Sequence, residues 1–386
     1  MGTGKLPSKV YQDPWSTSLE SRLSTLATGR VRIAYFYEQP NNSTFRYRAY
    51  NMAQVLNEDI DETSASYFFL DDLHELENLV DIADIIIICR SRYCHRIANL
   101  IQRFKARGKP VLFDIDDLVL NSRYCHLIIQ TLSQTKDDVV WDYWFSYTSR
   151  IAETMRLCDK VITTNEFLAK KVAEEFSIPT AVVQNFINKE QLEISNTTFF
   201  EKKSFSFKKN EKIRFGYFSG SPSHKNDFSI TLSALESVLE SDPAIELTLA
   251  GYVDVEKPLK KFGSQVKYES FRDYVSLQRL IGSVDFNLMP LQYNAFTNCK
   301  SPLKFFEAAA VGTLSIASPA INYADVIEHG VSGYLARDYE WETVIQQALD
   351  DDESYSGRVI TARNIALARF TYRNQREAIL NALDLT

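Results

Sequence analysis

From Val31 almost to the end of the chain, short β-branched runs alternate with stretches of helical period, and this alternation restricts the fold more than any other feature. It demands parallel sheets covered on both faces by helices. In the first half it predicts strands at Val31–Phe36, Ser66–Leu70, Ile85–Cys89, Val111–Phe113, Lys160–Thr163 and Thr180–Val183. The helices predicted between them lie near Tyr47–Leu56, Cys94–Arg107, Asp142–Arg156 and Glu166–Phe176. The pattern lapses from Ile187 to Lys212, a polar stretch without visible period, and restarts with strands at Ile213–Tyr217, Glu246–Ala250, Val266–Glu269, Phe286–Pro290 and Thr313–Ala317. The expected organisation is a polar N-terminal extension (1–30), a first Rossmann-like domain (31–195), a linker (196–212), a second Rossmann-like domain (213–356) and a C-terminal helix (357–386). Two doubly wound domains of this kind bind ligands at the carboxyl ends of their strands, here in the cleft where they face each other.

Composition removes several function classes. The longest apolar run, Ile85–Cys89, is far short of the ~18 to 20 residues of a membrane span. The first 30 residues lack the apolar core of a signal peptide, so a cytoplasmic location is expected. Five cysteines show no paired spacing, which speaks against a zinc site or a disulfide framework. The net charge of −7 is spread evenly over both halves, so no nucleic-acid partner is expected. One local exception is the run from Arg90 to Lys109, with seven Lys/Arg and no acid. A solvated helix face accounts for it; the sharper alternative is peripheral contact with an anionic membrane face.

Glycine placement separates the halves. Only Gly108 lies between Arg30 and Ile213, whereas nine of the 13 glycines fall between Gly216 and Gly357. Side chains therefore line the first domain's site, and backbone lines the second's. After the strand Ile213–Tyr217 comes Phe218-Ser-Gly-Ser-Pro-Ser-His-Lys-Asn-Asp, a small-residue turn with Lys225 ahead of a helix. Further on, Asn298-Cys-Lys-Ser-Pro-Leu-Lys-Phe-Phe-Glu-Ala-Ala-Ala-Val-Gly leads a cationic loop into an apolar helix and a turn at Gly312. Lys300, Ser301 and the first free N–H groups of that helix fall together, an arrangement suited to phosphate.

These segments, with Glu246–Gly251, Tyr268–Tyr274, Leu277–Leu291 and Gly330-Val-Ser-Gly-Tyr-Leu-Ala336, resemble the nucleotide-sugar domain of retaining GT-B glycosyltransferases, particularly glycosyltransferase family 4. The resemblance implies two Rossmann-like domains facing across a cleft and sugar transfer from a nucleoside-diphosphate donor to a glycan or lipid-linked acceptor, as in surface-polysaccharide assembly. It implies no cofactor and no metal. It assigns Gly220, Ser221, His224, Lys225, Phe271, Asn298, Lys300, Ser301 and Glu307 to the donor, with Lys225, Lys300 and Glu307 as the groups that carry catalysis. Glu307 takes the place of the glutamate that holds the ribose, where a carboxylate suits two hydroxyl donors. The family usually shows Glu-x7-Glu; here the earlier position is Cys299, whose sugar-contacting role would pass to Asn298 or to Lys300 and Ser301. The resemblance also implies that the C-terminal helix, Arg358 to Leu385, crosses back onto the first domain.

In the first domain, Arg46 and Arg48 follow the first strand, Arg90 the third, and Asp114, Asp116 and Asp117 the fourth. All six are candidate acceptor-binding residues at one sheet edge. Two rival readings stand beside the transferase. Lys109-Pro-Val-Leu-Phe-Asp-Ile-Asp-Asp resembles the first motif of haloacid-dehalogenase-type phosphatases, in which Asp114 would attack phosphorus and Asp116 shuttle the proton over Mg²⁺. A non-catalytic GT-B subunit that binds a glycan or protein partner is the other, motivated by Cys299.

Overall fold

The computed structural model describes residues 11–74, 78–207, 212–220, 225–252, 256–351 and 353–386. Six parallel strands form the first sheet: β1 (Val31–Phe36), β2 (Thr63–Phe68), β3 (Ile85–Cys89), β4 (Val111–Ile115), β5 (Lys160–Thr163) and β6 (Thr180–Val182), in the order β2-β1-β3-β4-β5-β6. Six more form the second: β7 (Ile213–Ser219), β8 (Ile245–Gly251), β9 (Val266–Glu269), β10 (Phe286–Met289), β11 (Leu314–Ala317) and β12 (Tyr334–Leu335), in the order β12-β11-β10-β7-β8-β9. Strand β3 is buried along its whole length, as a central strand covered on both faces must be. Strand order reverses at β1/β3 in one sheet and at β7/β10 in the other. Those switch points open crevices at the carboxyl ends of the strands, and the two crevices face each other.

Three expectations need correction. Residues 11–30 are built into the first domain. Trp15 is buried against Phe45 and Tyr50, the helix Leu19–Leu26 lies on β2, and Arg22 pairs with Asp72 at 2.6 Å. The stretch expected as a linker is largely helical, Lys189–Ser204, capped by the Asn188 side chain. It packs on the helix Tyr274–Gly282, and so closely that a Cβ on Gly282 would stand 2.2 Å from Thr198 Cγ2. The C-terminal segment is two helices, Tyr355–Arg369 and Arg376–Ala382. Between them Thr371 is extended because Phe370 O and Tyr372 N hydrogen-bond the backbone of Ile187, where the chain crosses between the sheets. The last helix packs on the first domain. Arg376 donates to Leu56 O and Thr63 Oγ1, Asp384 pairs with Lys160, and Ile379 and Leu383 enter that domain's core. No helix among the described residues is long and apolar enough to cross a membrane.

Candidate active site

The two crevices enclose a cavity of about 470 Å³. From the second domain it is lined by Ser219 and Gly220 at the end of β7, Gly251 at the end of β8, Phe271, Asn287 on β10, and Leu303, Lys304 and Glu307 of the helix Leu303–Ala310. From the first it is lined by Asn41–Ser43, Arg46 and Tyr47. Gly251 sits at φ +82°, and a Cβ there would stand 2.1 Å from Ser219 O, so only glycine lets β7 and β8 end this close together. Beside it, the half-exposed rings of Phe271 and Tyr252 stand 5.8 Å apart.

The helix Leu303–Ala310 supplies one end of the cavity. Pro302 precedes it, and the Phe305 and Phe306 N–H groups turn back to Pro302 O, leaving the Leu303 and Lys304 N–H groups as the helix's unspent donors. The Lys304 ammonium stands 5.0 Å from the Tyr217 ring centroid, and burial pushes its pKa down to about 8. Asn287 Nδ2 fixes the Lys304 carbonyl at 3.2 Å. A partly desolvated cation beside free N–H groups is short of a counter-charge, which an anionic ligand supplies.

Glu307, three residues on, is 5% exposed. Its Oε1 accepts from Tyr47 Oη at 2.6 Å, Gln191 Nε2 at 3.0 Å and Arg46 Nη2 at 3.5 Å. Burial holds the Tyr47 phenol well above its usual pKa, so it stays a donor. A π-helical turn, Arg46–Tyr50, presents Arg46 and Tyr47 side by side, and the Arg46 guanidinium lies between the Tyr47 and Tyr274 rings, 4.1 and 4.5 Å from their centroids.

The expected site residues divide. Gly220, Phe271, Glu307 and Arg46 line the cavity. Ser221 and His224 lie outside the described residues, as does the side chain of Lys225, whose backbone begins the helix Lys225–Ser229. Lys300 is near the lysine end but points to the first domain, 3.6 Å from Asp117 Oδ1 and over the Phe296 ring. Asn298 is buried and spends its Oδ1 on the Ile321 N–H. Ser301 Oγ is buried without a partner. Cys299 is fully buried in the first domain's core cluster, and Asn165 holds its carbonyl at 2.7 Å. The position of the missing glutamate is thus a packing contact between domains.

Arg48 and Asp114 do not face an acceptor. They are 0% and 2% exposed and form a two-pronged ion pair at 2.8 and 2.7 Å, with Arg48 Nη1 spent on Val183 O and Asn185 Oδ1. Burial raises the Asp114 pKa more than Arg48 lowers it. With both oxygens held, Asp114 is not placed to attack phosphorus. Asp116 and Asp117 hold Arg90 at 2.9 and 3.4 Å near the mouth of the first crevice. Burial pushes Asp116 up, but Arg90 and the Thr44 hydroxyl outweigh it, and the net pKa is lowered. In the basic run, Arg90, Arg92, Lys105, Arg107 and Lys109 are all engaged by carboxylates or carbonyls of the protein, so most of its charge is structural.

The sequence reading missed Lys304, Tyr47 and Gln191. For Lys304 a signal existed: Pro302 marks the helix start, which puts Lys304 in the first turn and Lys300 before it.

Residues 214–351 match the family described as glycosyl transferases group 1. The match falls within the second domain. A stretch of 119 residues is 28% identical to the amylovoran biosynthesis glycosyltransferase AmsK of Erwinia amylovora and spans 29% of this chain and 29% of that protein. Anabaena HepE, crystallised with UDP and glucose, superimposes with a TM-score of 0.62 at 14% identity, over 92% of this chain and 100% of that one. WaaG, a glycosyltransferase involved in lipopolysaccharide biosynthesis, gives 0.62 at 13% identity, over 91% and 99%. The chain has the GT-B fold, and the cavity lies between its two Rossmann-like domains.

Proposed function

We propose that the protein is a retaining glycosyltransferase that moves a sugar from a nucleoside-diphosphate donor to a hydroxyl of a glycan or lipid-linked acceptor, in surface-polysaccharide assembly. The observation that carries this reading is the polarity of the interdomain cavity. Lys304 and two free helix N–H groups stand at the start of the helix Leu303–Ala310, and Glu307, held among Tyr47, Gln191 and Arg46, stands one turn further along it. A diphosphate suits the first position and a ribose the second. HepE has been crystallised with UDP and with UDP-glucose, so UDP-sugars are the first donors to test.

In this mechanism the bond between the anomeric carbon and the diphosphate oxygen breaks as charge grows on the diphosphate. Lys304 and the Leu303 and Lys304 N–H groups stabilise that charge, with Lys300 before the same helix as a further cation. The acceptor hydroxyl attacks the anomeric carbon from the face the diphosphate leaves, and a phosphate oxygen takes its proton. The cations present fit a reaction needing no resident metal. Arg90 after β3, and Asp116 and Asp117 after β4, would orient the acceptor. Incubation with a panel of nucleotide sugars and candidate acceptors, in EDTA, tests the reading. The expected result is a product with the donor's anomeric configuration. Binding of donor without transfer or hydrolysis would favour the non-catalytic subunit instead.

A further inference from the structure

Among the described residues, four polar side-chain atoms around the cavity are buried with no partner at hydrogen-bond distance: Tyr11 Oη, Asp13 Oδ1 beside it, Asn42 Oδ1 and Tyr274 Oη. Asp13, Asn42 and Tyr274 line the cavity itself. Unpaired buried polar atoms are costly and rare, and a cluster of them on one wall calls for an occupant that supplies the missing bonds.

Two of the four come from the segment Tyr11–Trp15. Asp13-Pro-Trp-Ser16 is a β-turn closed by Ser16 N–H on Asp13 O at 3.0 Å, with Asp at its first position and Pro at its second, the residues such a turn favours. The turn drives Trp15 into the first domain's core and lays its indole on Tyr274 of the second, centroids 6.0 Å apart and planes 18° apart. Tyr11 meets the same ring edge-on at 6.1 Å. The segment is therefore a strap from the first domain that reaches the second domain and leaves the Asp13 carboxylate at the cavity.

Charge decides which part of a ligand meets the strap. Tyr274 lies between Asp13 and the Arg46–Glu307 cluster, so this side holds two carboxylates against the Arg46 cation, whereas Lys304, one helical turn before Glu307, lies against Tyr217 of β7. A diphosphate is repelled from the first and drawn to the second, which turns the nucleoside toward the strap. A carboxylate and an amide oxygen accept hydrogen bonds, and a nucleoside offers O–H and N–H donors. We infer that the Tyr11–Trp15 strap is part of the donor site and that Asp13 is a specificity-determining residue, accepting hydrogen bonds from the nucleoside. The inference rests on the donor reading above.

Calorimetry on the full chain separates the two. The probes are UDP, GDP, ADP, CDP and dTDP, and inorganic pyrophosphate, which engages only the lysine end. For the tightest nucleotide, Asp13→Ala is expected to raise Kd at least tenfold while the pyrophosphate Kd stays within twofold and Tm is unchanged. Wild-type nucleotide affinity in Asp13→Ala would overturn the inference and leave the donor reading standing. Equal losses for nucleotide and pyrophosphate would also overturn it, by making Asp13 structural. A wild-type chain that binds no nucleotide overturns both. Should Asp13→Ala not fold, Asp13→Asn keeps the turn and removes the charge; it is expected to change the ranking of the five nucleotides, and an unchanged ranking counts against the role.

Discussion

Arg46 and Arg48 lie two residues apart on one π-helical turn, yet they meet opposite surroundings. Arg48 is sealed inside the first domain, with Asp114 across two hydrogen bonds and Val183 O and Asn185 taking the rest. Arg46 faces the cleft. Its Nε and Nη1 are spent on Asn42 O at 2.8 Å and Gln191 Oε1 at 3.0 Å, but its carboxylate partner, Glu307, is 3.5 Å away and shared with Tyr47 and Gln191, and the cavity wall beside them carries buried polar atoms without a hydrogen bond. A fully satisfied charge pair is architecture, because any ligand would have to break it. A long, shared pair on a cavity wall is a place for a ligand.

The comparison can be broken most sharply at Arg48. Replacing it with Met leaves the buried Asp114 uncompensated and should cost about 3 to 5 kcal/mol in chemical denaturation. A double variant, Arg48→Met with Asp114→Leu, should recover much of that; failure to recover would mean that the pair does more than satisfy itself.

Lys304→Met should act in the opposite sense on stability and activity. Loss of a charge contact to the departing diphosphate should lower kcat/KM by about 10- to 100-fold, or ~1.5 to 3 kcal/mol. The unliganded variant should nonetheless be the more stable at pH 7, by on the order of 1 kcal/mol, because burying a charged amine disfavours the folded state. The folded pKa of about 8 lies below the unfolded value of 10.5, so between them the unfolded chain binds more protons. Wild-type stability from this group therefore rises with pH across that window, and the advantage of the variant should shrink from pH 8 towards 10.5. Thermal melts at pH 7 and 10 check the sign.

Glu307→Gln keeps the shape of the side chain and weakens an acceptor for ribose hydroxyls; a roughly tenfold rise in the nucleoside-diphosphate Kd is expected, with a smaller loss of stability than in Arg48→Met, because Arg46 keeps its bonds to Asn42 and Gln191. Phe271→Ala is the smallest perturbation. Loss of a stacking ring should cost ~0.5 to 1.5 kcal/mol in nucleotide binding and leave pyrophosphate binding alone.

Much of the fold could be read from the residues. Ile85–Cys89 and Val31–Phe36 fall where their β-branched and aromatic runs put them. What could not be read was structure that carries no period. The helix Lys189–Ser204 buries Gln191, Ser195 and Thr198 beside Leu192 and Phe199, so its inner face is as polar as its outer and apolar spacing gives no sign of it. Trp15 is one aromatic in a polar stretch, and only the turn Asp13–Ser16 explains its burial. The C-terminal break at Thr371 is imposed by Ile187, a partner distant in sequence. At the site, Glu307 and Phe271 were legible through resemblance. Arg46 and Arg48 looked equivalent, since the residues that separate them come from different domains, Asp114 from a strand of the first and Glu307 from a helix of the second.

The most direct test of the account is a calorimetric titration of the wild-type chain and Lys304→Met with the five nucleoside diphosphates in EDTA. The account predicts one site per chain with a Kd below about 100 μM for at least one of them, and a Kd at least tenfold higher in the variant. No binding by the wild type, or equal affinity in the two proteins, would contradict it.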